Sequence, residues 1–383
     1  MSARVVITGL GALSALGDDP AALWAGLLAG SWGVRRQAHL VEAGLRVSAG
    51  GGVASLPLDL PEREVELGRR AADAALAQAG LSASSVGLIW SAGLDSYQWT
   101  SAGLVRRAAS ACFQALAARH RSPRRMLAVA CASGTQTLGE AARLIRSGRL
   151  EACLAGGSST LLSPLYASGF AALGAVALDV AGEAPELACR PFDRRRRGFA
   201  LAEGAGALVL ESEAHARARG AVVLAEVLGF GTSQDAFDLN RPPPDGAGAE
   251  RCVRRALEDA GLEPAEVGAV NAHGTGTRVG DLAEAAALRR VFGAPGPAVT
   301  SVKGALGHAM AASGALEAVV CVLSLGAQTL PPTVNLEQPD PECALDHVLG
   351  APRAASFEHV LSCSFGMGGQ NAAIVLRRGP DHA

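Results

Sequence analysis

Met126-Leu-Ala-Val-Ala-Cys131-Ala-Ser-Gly-Thr-Gln-Thr-Leu-Gly-Glu-Ala-Ala-Arg-Leu-Ile-Arg146 is the stretch from which the fold is read. The apolar run 126–130 predicts a buried strand, and the small and polar residues after it mark a turn. From there an Ala-rich helix runs to about residue 146 and stops before Gly148, where glycine favours a helix end. Residues 298–325 repeat the same order: a strand, a Lys-Gly turn and an Ala-rich helix. Two similar halves, dividing near residues 215–225, would set two strand-to-helix turns face to face across one cleft.

Similar units lie on either side. Residues 5–8 read as a first strand, and Asp18 and Asp19 can cap a helix that opens at Pro20 and runs towards Gly30. Further helices are predicted over 67–79, 281–291 and from near His308 to 325. Strands are predicted over 86–90, 267–271 and 298–301 and on both sides of 365–370. Such alternation argues for an α/β fold of layers with largely parallel sheets. Gly9-Leu-Gly11-Ala-Leu-Ser14 lacks the third glycine and the later acid of a dinucleotide fingerprint, and reads as a glycine-rich core turn. The loop from Arg241 through three prolines to Gly248 is too soon followed by regular elements to be a domain linker. Residues 194–197, four consecutive arginines beside Asp193, read as a solvated turn.

Composition narrows the class of protein. In 383 residues, 49% are apolar, enough for a large core, and 34 basic against 36 acidic side chains leave a net charge of -2. Neither a general nucleic-acid binder nor a disordered chain has that balance. Aromatics supply only 4% while glycine reaches 47 residues, so close backbone approach should count for more than aromatic anchors. Eight scattered cysteines form no metal or disulfide pattern and point to a reducing, cytoplasmic compartment. Residues 152–178 carry no charge over a length that spans a bilayer, but Gly156, Gly157 and Pro164 break them into a core strand and buried loops. No membrane and no nucleic-acid partner is expected.

Four segments carry chemistry. Cys131, between a strand and a helix N-terminus, sits in a field that favours thiolate. A free thiol near pKa 8.5 is only a few per cent ionised at neutral pH, so that field has a task. Asn271-Ala-His273-Gly-Thr275-Gly-Thr277 lets a histidine leave a strand into a cleft, with two threonines able to hold an amide-bearing arm. Lys303-Gly-Ala-Leu-Gly-His308 places a lysine that needs an acid, and Glu317 is the candidate. Ser364-Phe365-Gly366-Met367-Gly368-Gly369-Gln370-Asn371 allows a tight hairpin whose N–H groups can face an oxyanion.

In this order the four motifs resemble the elongating β-ketoacyl-acyl carrier protein synthases of the thiolase-like superfamily. The likeness runs from Val5 to the Asn371-Ala-Ala-Ile-Val-Leu stretch. It implies a thiolase-like α/β fold of two βαβαβαββ halves, residues 1–220 and 221–383, stacked as an αβαβα sandwich. It further implies a decarboxylative condensation of an acyl thioester with malonyl-carrier protein. Cys131 takes the acyl chain, His273 and His308 assist decarboxylation, and Lys303 with Glu317 orients the site. The N–H groups of Cys131 and Met367 form an oxyanion hole, while Thr275, Thr277, Phe365 and Met367 contact substrate. The partners implied are an acyl carrier protein with its acyl and malonyl thioesters, and a second subunit in a homodimer or ketosynthase heterodimer. No metal or resident cofactor is implied, because the phosphopantetheine arrives on the carrier.

Some positions depart from that pattern. Met367 stands where Phe is common in fatty-acid enzymes, Gln370 where Thr is frequent, and Gly174 where relatives often carry an arginine that meets the carrier. The region 91–125 is shorter than usual. These differences favour a specialised, polyketide-like pathway. They also keep a second reading open, a non-catalytic partner that determines chain length in a heterodimer, against which the intact Cys131 speaks. A coenzyme A-dependent thiolase is a third, disfavoured by the paired histidines. Arg69, Arg70, Arg124 and Arg125 are candidate contacts to an acidic carrier.

Overall fold

The computed structural model describes residues 3–100 and 103–380. Ser101 and Ala102, within the shortened 91–125 region, lie outside the described residues, as do Met1 and Ser2. The first half runs through strand Val5–Leu13, helix Arg63–Ala79, strand Gly87–Ser91, helix Ala111–Ala117 and strand Arg124–Leu127, then helix Ser133–Arg146 and strands Ala152–Thr160 and Leu201–Ser212. The second half repeats this order: Ala225–Gln234, Ala247–Ala260, Ala269–Asn271, Arg278–Phe292, Ala298–Thr300, Ser313–Ala327, His359–Phe365 and Gln370–Arg378. Each half is therefore a βαβαβαββ unit.

Within each half the first strand lies beside the last, and the two halves join where Val5-Val6-Ile7 pairs antiparallel with Ala225-Glu226-Val227. One hydrogen-bonded sheet results. It is mixed: Gly87–Ser91 pairs parallel with both of its neighbours, whereas Leu201–Ser212 runs antiparallel to Val5–Leu13 and Ala152–Thr160. The largely parallel sheet expected from the alternation is thus corrected. The last two strands of each half pair antiparallel, joined by a tight hairpin in the second half and by residues 161–200, with helix Pro164–Ala172, in the first, whereas a parallel pair is joined by a crossover. Helices Ser133–Arg146 and Ser313–Ala327 pack on each other and on strands of both halves, forming the middle layer. The core on both sides of them is built of Ala, Leu, Val and Ile.

Several local expectations need revision. The segment Gly9-Leu-Gly11 is no turn but the interior of the first strand. A Cβ at Gly11 would lie 1.9 Å from the carbonyl oxygen of Ala71, and one at Gly9 2.1 Å from that of Ala75. Glycine here lets helix Arg63–Ala79 rest directly on the strand. The predicted buried strand 126–130 is instead Arg124–Leu127, an edge strand with Met126 41% exposed. Its apolar residues continue into a 3₁₀ turn, Ala130–Ala132. The helix expected from near His308 starts only at Ser313, after a second 3₁₀ turn, Met310–Ala312. Of the four arginines read as a solvated turn, Arg196 is 2% exposed and pairs with Asp340 and Asp281, and Arg195 and Arg197 pair with Asp193 and Glu183. Acids distant in sequence, invisible to a local reading, draw Arg196 inward, whereas Arg194 and Arg195 stay exposed as a solvated turn requires.

The uncharged run 152–178 becomes a buried core strand and helix Pro164–Ala172. Among the described residues one helical segment, Met310–Ala327, is long and apolar enough to cross a membrane, and 83% of it is buried inside the protein. All eight cysteines are free and buried.

Candidate active site

The turn before Cys131 is sterically special. Ala130 has φ +50°, a left-handed conformation that a residue with a Cβ rarely adopts. That kink halts the chain after the edge strand and presents Cys131 just ahead of helix Ser133–Arg146. Its Sγ lies 3.2 Å from His308 Nε2 and 3.5 Å from Met310 Sδ. The N–H groups of Met367 and of Cys131 itself approach the sulfur. Burial pushes the thiol up to about 11, against the pull of those N–H groups and of Lys303. The expectation of a helix-stabilised thiolate is corrected: at 5% exposure, desolvation outweighs the favourable field and the thiol rests neutral.

His273 and His308 reach the same point from different elements. His273 follows strand Ala269–Asn271, and its ring centroid stands 5.3 Å from that of His308 at 82°. The Cys131 sulfur and one nitrogen of each ring lie within 4.8 Å of one another. Burial, reinforced by Lys303, holds both imidazoles well below their ordinary value, so they are neutral. His308 Nδ1 is 2.9 Å from Ser313 Oγ, while His273 Nδ1 has no partner among the described residues. Lys303 does meet Glu317, at 1% and 2% side-chain exposure. Neither lines the cavity, and Lys303 reaches the two histidines through its charge.

A cavity of about 750 Å³ opens onto these groups. Cys131, His273, His308, Thr275, Thr277, Phe365 and Met367 all line it. Thr275 and Thr277 stand together, Oγ1 to Oγ1 3.0 Å. Gly368 and Gly369, at φ +91° and +83°, turn the hairpin that carries Met367. Gly174 and the loop Arg241-Pro242-Pro243 form part of the wall, a role the proline run did not announce. Arg69, Arg70, Arg124 and Arg125 do not line the cavity. Arg69 and Arg70 pair with Glu66, Arg125 faces Glu140 at 3.9 Å, and Arg124 donates to the Ala117 carbonyl.

Two residues that shape the site were missed from sequence. Glu284 accepts from the backbone N–H of both His273 and Gly274, at 2.7 Å each. Asp281 accepts from Gly276 N–H at 3.1 Å and from Phe192 N–H at 2.7 Å. Both sit on one face of helix Arg278–Phe292, three residues apart, and hold the histidine loop from below. The legible signal was that i, i+3 pair of acids directly after the Gly/Thr loop.

Comparison with known proteins agrees with this architecture. The family models for the N-terminal and C-terminal domains of beta-ketoacyl synthase match residues 64–216 and 224–337. The 3-oxoacyl-[acyl-carrier-protein] synthase 2 of Coxiella burnetii is 36% identical over 410 aligned positions, covering 98% of each chain. That of Synechocystis is 34% identical over 409, again covering 98% of each. Among solved structures, a type II PKS ketosynthase in complex with its acyl-carrier protein superposes with a TM-score of 0.90 at 30% identity, covering 99% of this chain and 100% of that one. The ishigamide ketosynthase/chain length factor gives 0.87 at 32%, with the same coverage. An α/β fold with Cys and two His around one cavity defines a condensing-enzyme class of thiolase-like proteins. This chain belongs to the beta-ketoacyl synthase family.

Proposed function

We propose that the chain catalyses decarboxylative condensation of an acyl group with malonyl-carrier protein, and that Cys131, His273 and His308 do the chemistry. The observation that carries this reading is the 3.2 Å approach of His308 Nε2 to the Cys131 sulfur at the wall of an open cavity. In the first half-reaction the thiol proton passes to His308 Nε2 as sulfur attacks the incoming thioester. The departing carrier thiolate then takes that proton. The acyl carbonyl oxygen is held by the N–H groups of Met367 and Cys131, and losing one such donor costs about 3–4 kcal/mol. In the second half-reaction malonyl-carrier protein loses carbon dioxide. The enolate needs hydrogen-bond donors and no strong base, and two neutral imidazoles supply N–H groups without a second cation beside Lys303. Enolate carbon attacks the acyl-Cys131 carbonyl, the C–S bond breaks, the β-ketoacyl product leaves on the carrier, and the Cys131 thiolate takes up a proton from solvent in the cavity.

Thr275 and Thr277 receive the phosphopantetheine arm, so the reading calls for no resident cofactor. Met367 and Phe365 bound the acyl chain, and Met367, more flexible than Phe, suits a polyketide-like chain. We place the protein in the cytoplasm, working with a second subunit as a homodimer or ketosynthase heterodimer. The test is mass spectrometry after mixing with acyl-carrier protein: an acyl adduct forms on Cys131 and is absent from a folded Cys131→Ala variant. An adduct that persists in that variant overturns the reading. No adduct on the wild type favours the non-catalytic partner.

A further inference from the structure

The two halves of the fold present the same local device twice. Ala130 and Met310 both adopt left-handed backbone, φ +50° and +47°, and each opens a 3₁₀ turn that runs into a helix beginning Ser-Gly. The serines differ in what they do. Ser133 Oγ accepts from Val129 N–H at 2.8 Å and donates to the Ala130 carbonyl at 2.6 Å, closing its own turn. Ser313, 4% exposed, is free of that duty. Among the described residues its hydroxyl has a single partner, His308 Nδ1 at 2.9 Å.

We propose that Ser313 is a positioning residue that supports both neutral tautomers of His308, its hydroxyl reversing role between the two half-reactions. The inference rests on the condensing reading above. To deprotonate the Cys131 thiol, Nε2 must offer its lone pair, and Nδ1–H must then donate to Ser313 Oγ. To support the enolate, Nε2 must carry the hydrogen, and the Ser313 O–H then donates to Nδ1. A hydroxyl is both donor and acceptor and serves either state by rotating. A backbone N–H or carbonyl would lock one tautomer. The exchange takes one proton off Nδ1 and puts one onto Nε2 through solvent in the cavity, leaving the ring neutral. Among the described residues the titratable groups around that ring are the Cys131 thiol on its turn, His273 on its loop, and Lys303 with Glu317, and none of them is a hydrogen-bond partner of Nδ1.

The experiment measures acylation of Cys131 against pH, by rapid quench and mass spectrometry, for wild type, Ser313→Ala and Ser313→Thr. Ser313→Ala is expected to slow acylation at neutral pH by about ten- to a hundredfold and to move the rise of the profile to higher pH. Ser313→Thr, which keeps the hydroxyl, returns both towards wild type. A wild-type profile in Ser313→Ala overturns the proposal. So does a Thr variant as slow as Ala while melting like the wild type. If Ser313→Ala does not fold, nitrogen NMR of histidine-labelled wild type decides: free and acylated enzyme must differ in which His308 nitrogen is protonated, and identical tautomers overturn the proposal. A wild type that takes up no acyl group sinks the condensing reading itself, whereas the other outcomes bear on Ser313 alone.

Discussion

Cys131 combines a chemical demand with an environment that resists it. Its residue type and its place between strand and helix were legible in sequence, because a cysteine at a strand-to-helix turn is a local pattern. Its titration was not, because desolvation depends on everything packed around the sulfur. With the thiol raised to about 11, modification by a small alkylating reagent should accelerate about tenfold per pH unit until near that value, measured on free enzyme. The sign for stability follows: folding favours the neutral thiol, so this contribution is intact below about 9 and is lost as pH rises through about 11. Lys303 and Glu317 offer a second test. Lys303→Met leaves a buried acid without its partner and should cost about 3 kcal/mol in denaturant unfolding. Adding Glu317→Leu should recover most of that, since an apolar pair of similar volume is tolerated where a lone charge is not.

Helix-scale expectations succeeded where capping and periodicity are local. Asp19 does cap the helix at Pro20, accepting from Ala22 N–H at 2.7 Å. They failed where a neighbouring element decides the outcome. Gly9-Leu-Gly11 and Gly134 read as parts of turns, yet they serve contact between backbones, the close approach expected from the glycine-rich composition but not placed by it. A Cβ at Gly134 would lie 2.6 Å from Ala315 N and 2.9 Å from the Ala311 carbonyl, both main-chain atoms of the opposite half. Gly134→Ala must therefore push helices Ser133–Arg146 and Ser313–Ala327 apart. It is expected to cost about 2 kcal/mol or more in thermal unfolding and, by shifting Cys131 from His308, to slow acylation even where the variant folds. The acids Asp281 and Glu284 belong to the same scale: their spacing was visible, but not that the histidine loop would fold back over them.

Across the whole molecule, buried carboxyls link stability to pH. Glu64, in the first turn of helix Arg63–Ala79, is pushed up to about 8 by burial, with distant hydroxyls of Ser158 and Thr160, at 3.4 and 3.5 Å, favouring its charged form. An acid whose folded pKa is raised favours the fold below its unfolded value, near 4.5, and loses that advantage as pH climbs through about 8. Glu64→Gln should therefore flatten the fall in stability between those limits and raise unfolding free energy at pH 8 by a few kcal/mol at most, read from urea titrations at both ends. The amino-acid order by itself determined the doubled βα units, the cysteine at its strand-to-helix turn, the two histidine segments and the hairpin. Each is written in residue type and short-range spacing, which fix local backbone and chemistry. Only the tertiary structure decided the antiparallel join of the halves, the inward turn of Arg196, the neutral state of the thiol and the pairing of Ser313 with His308. Those follow from contacts between residues far apart in the chain and from the exclusion of water, and neither exists until the two halves close on each other.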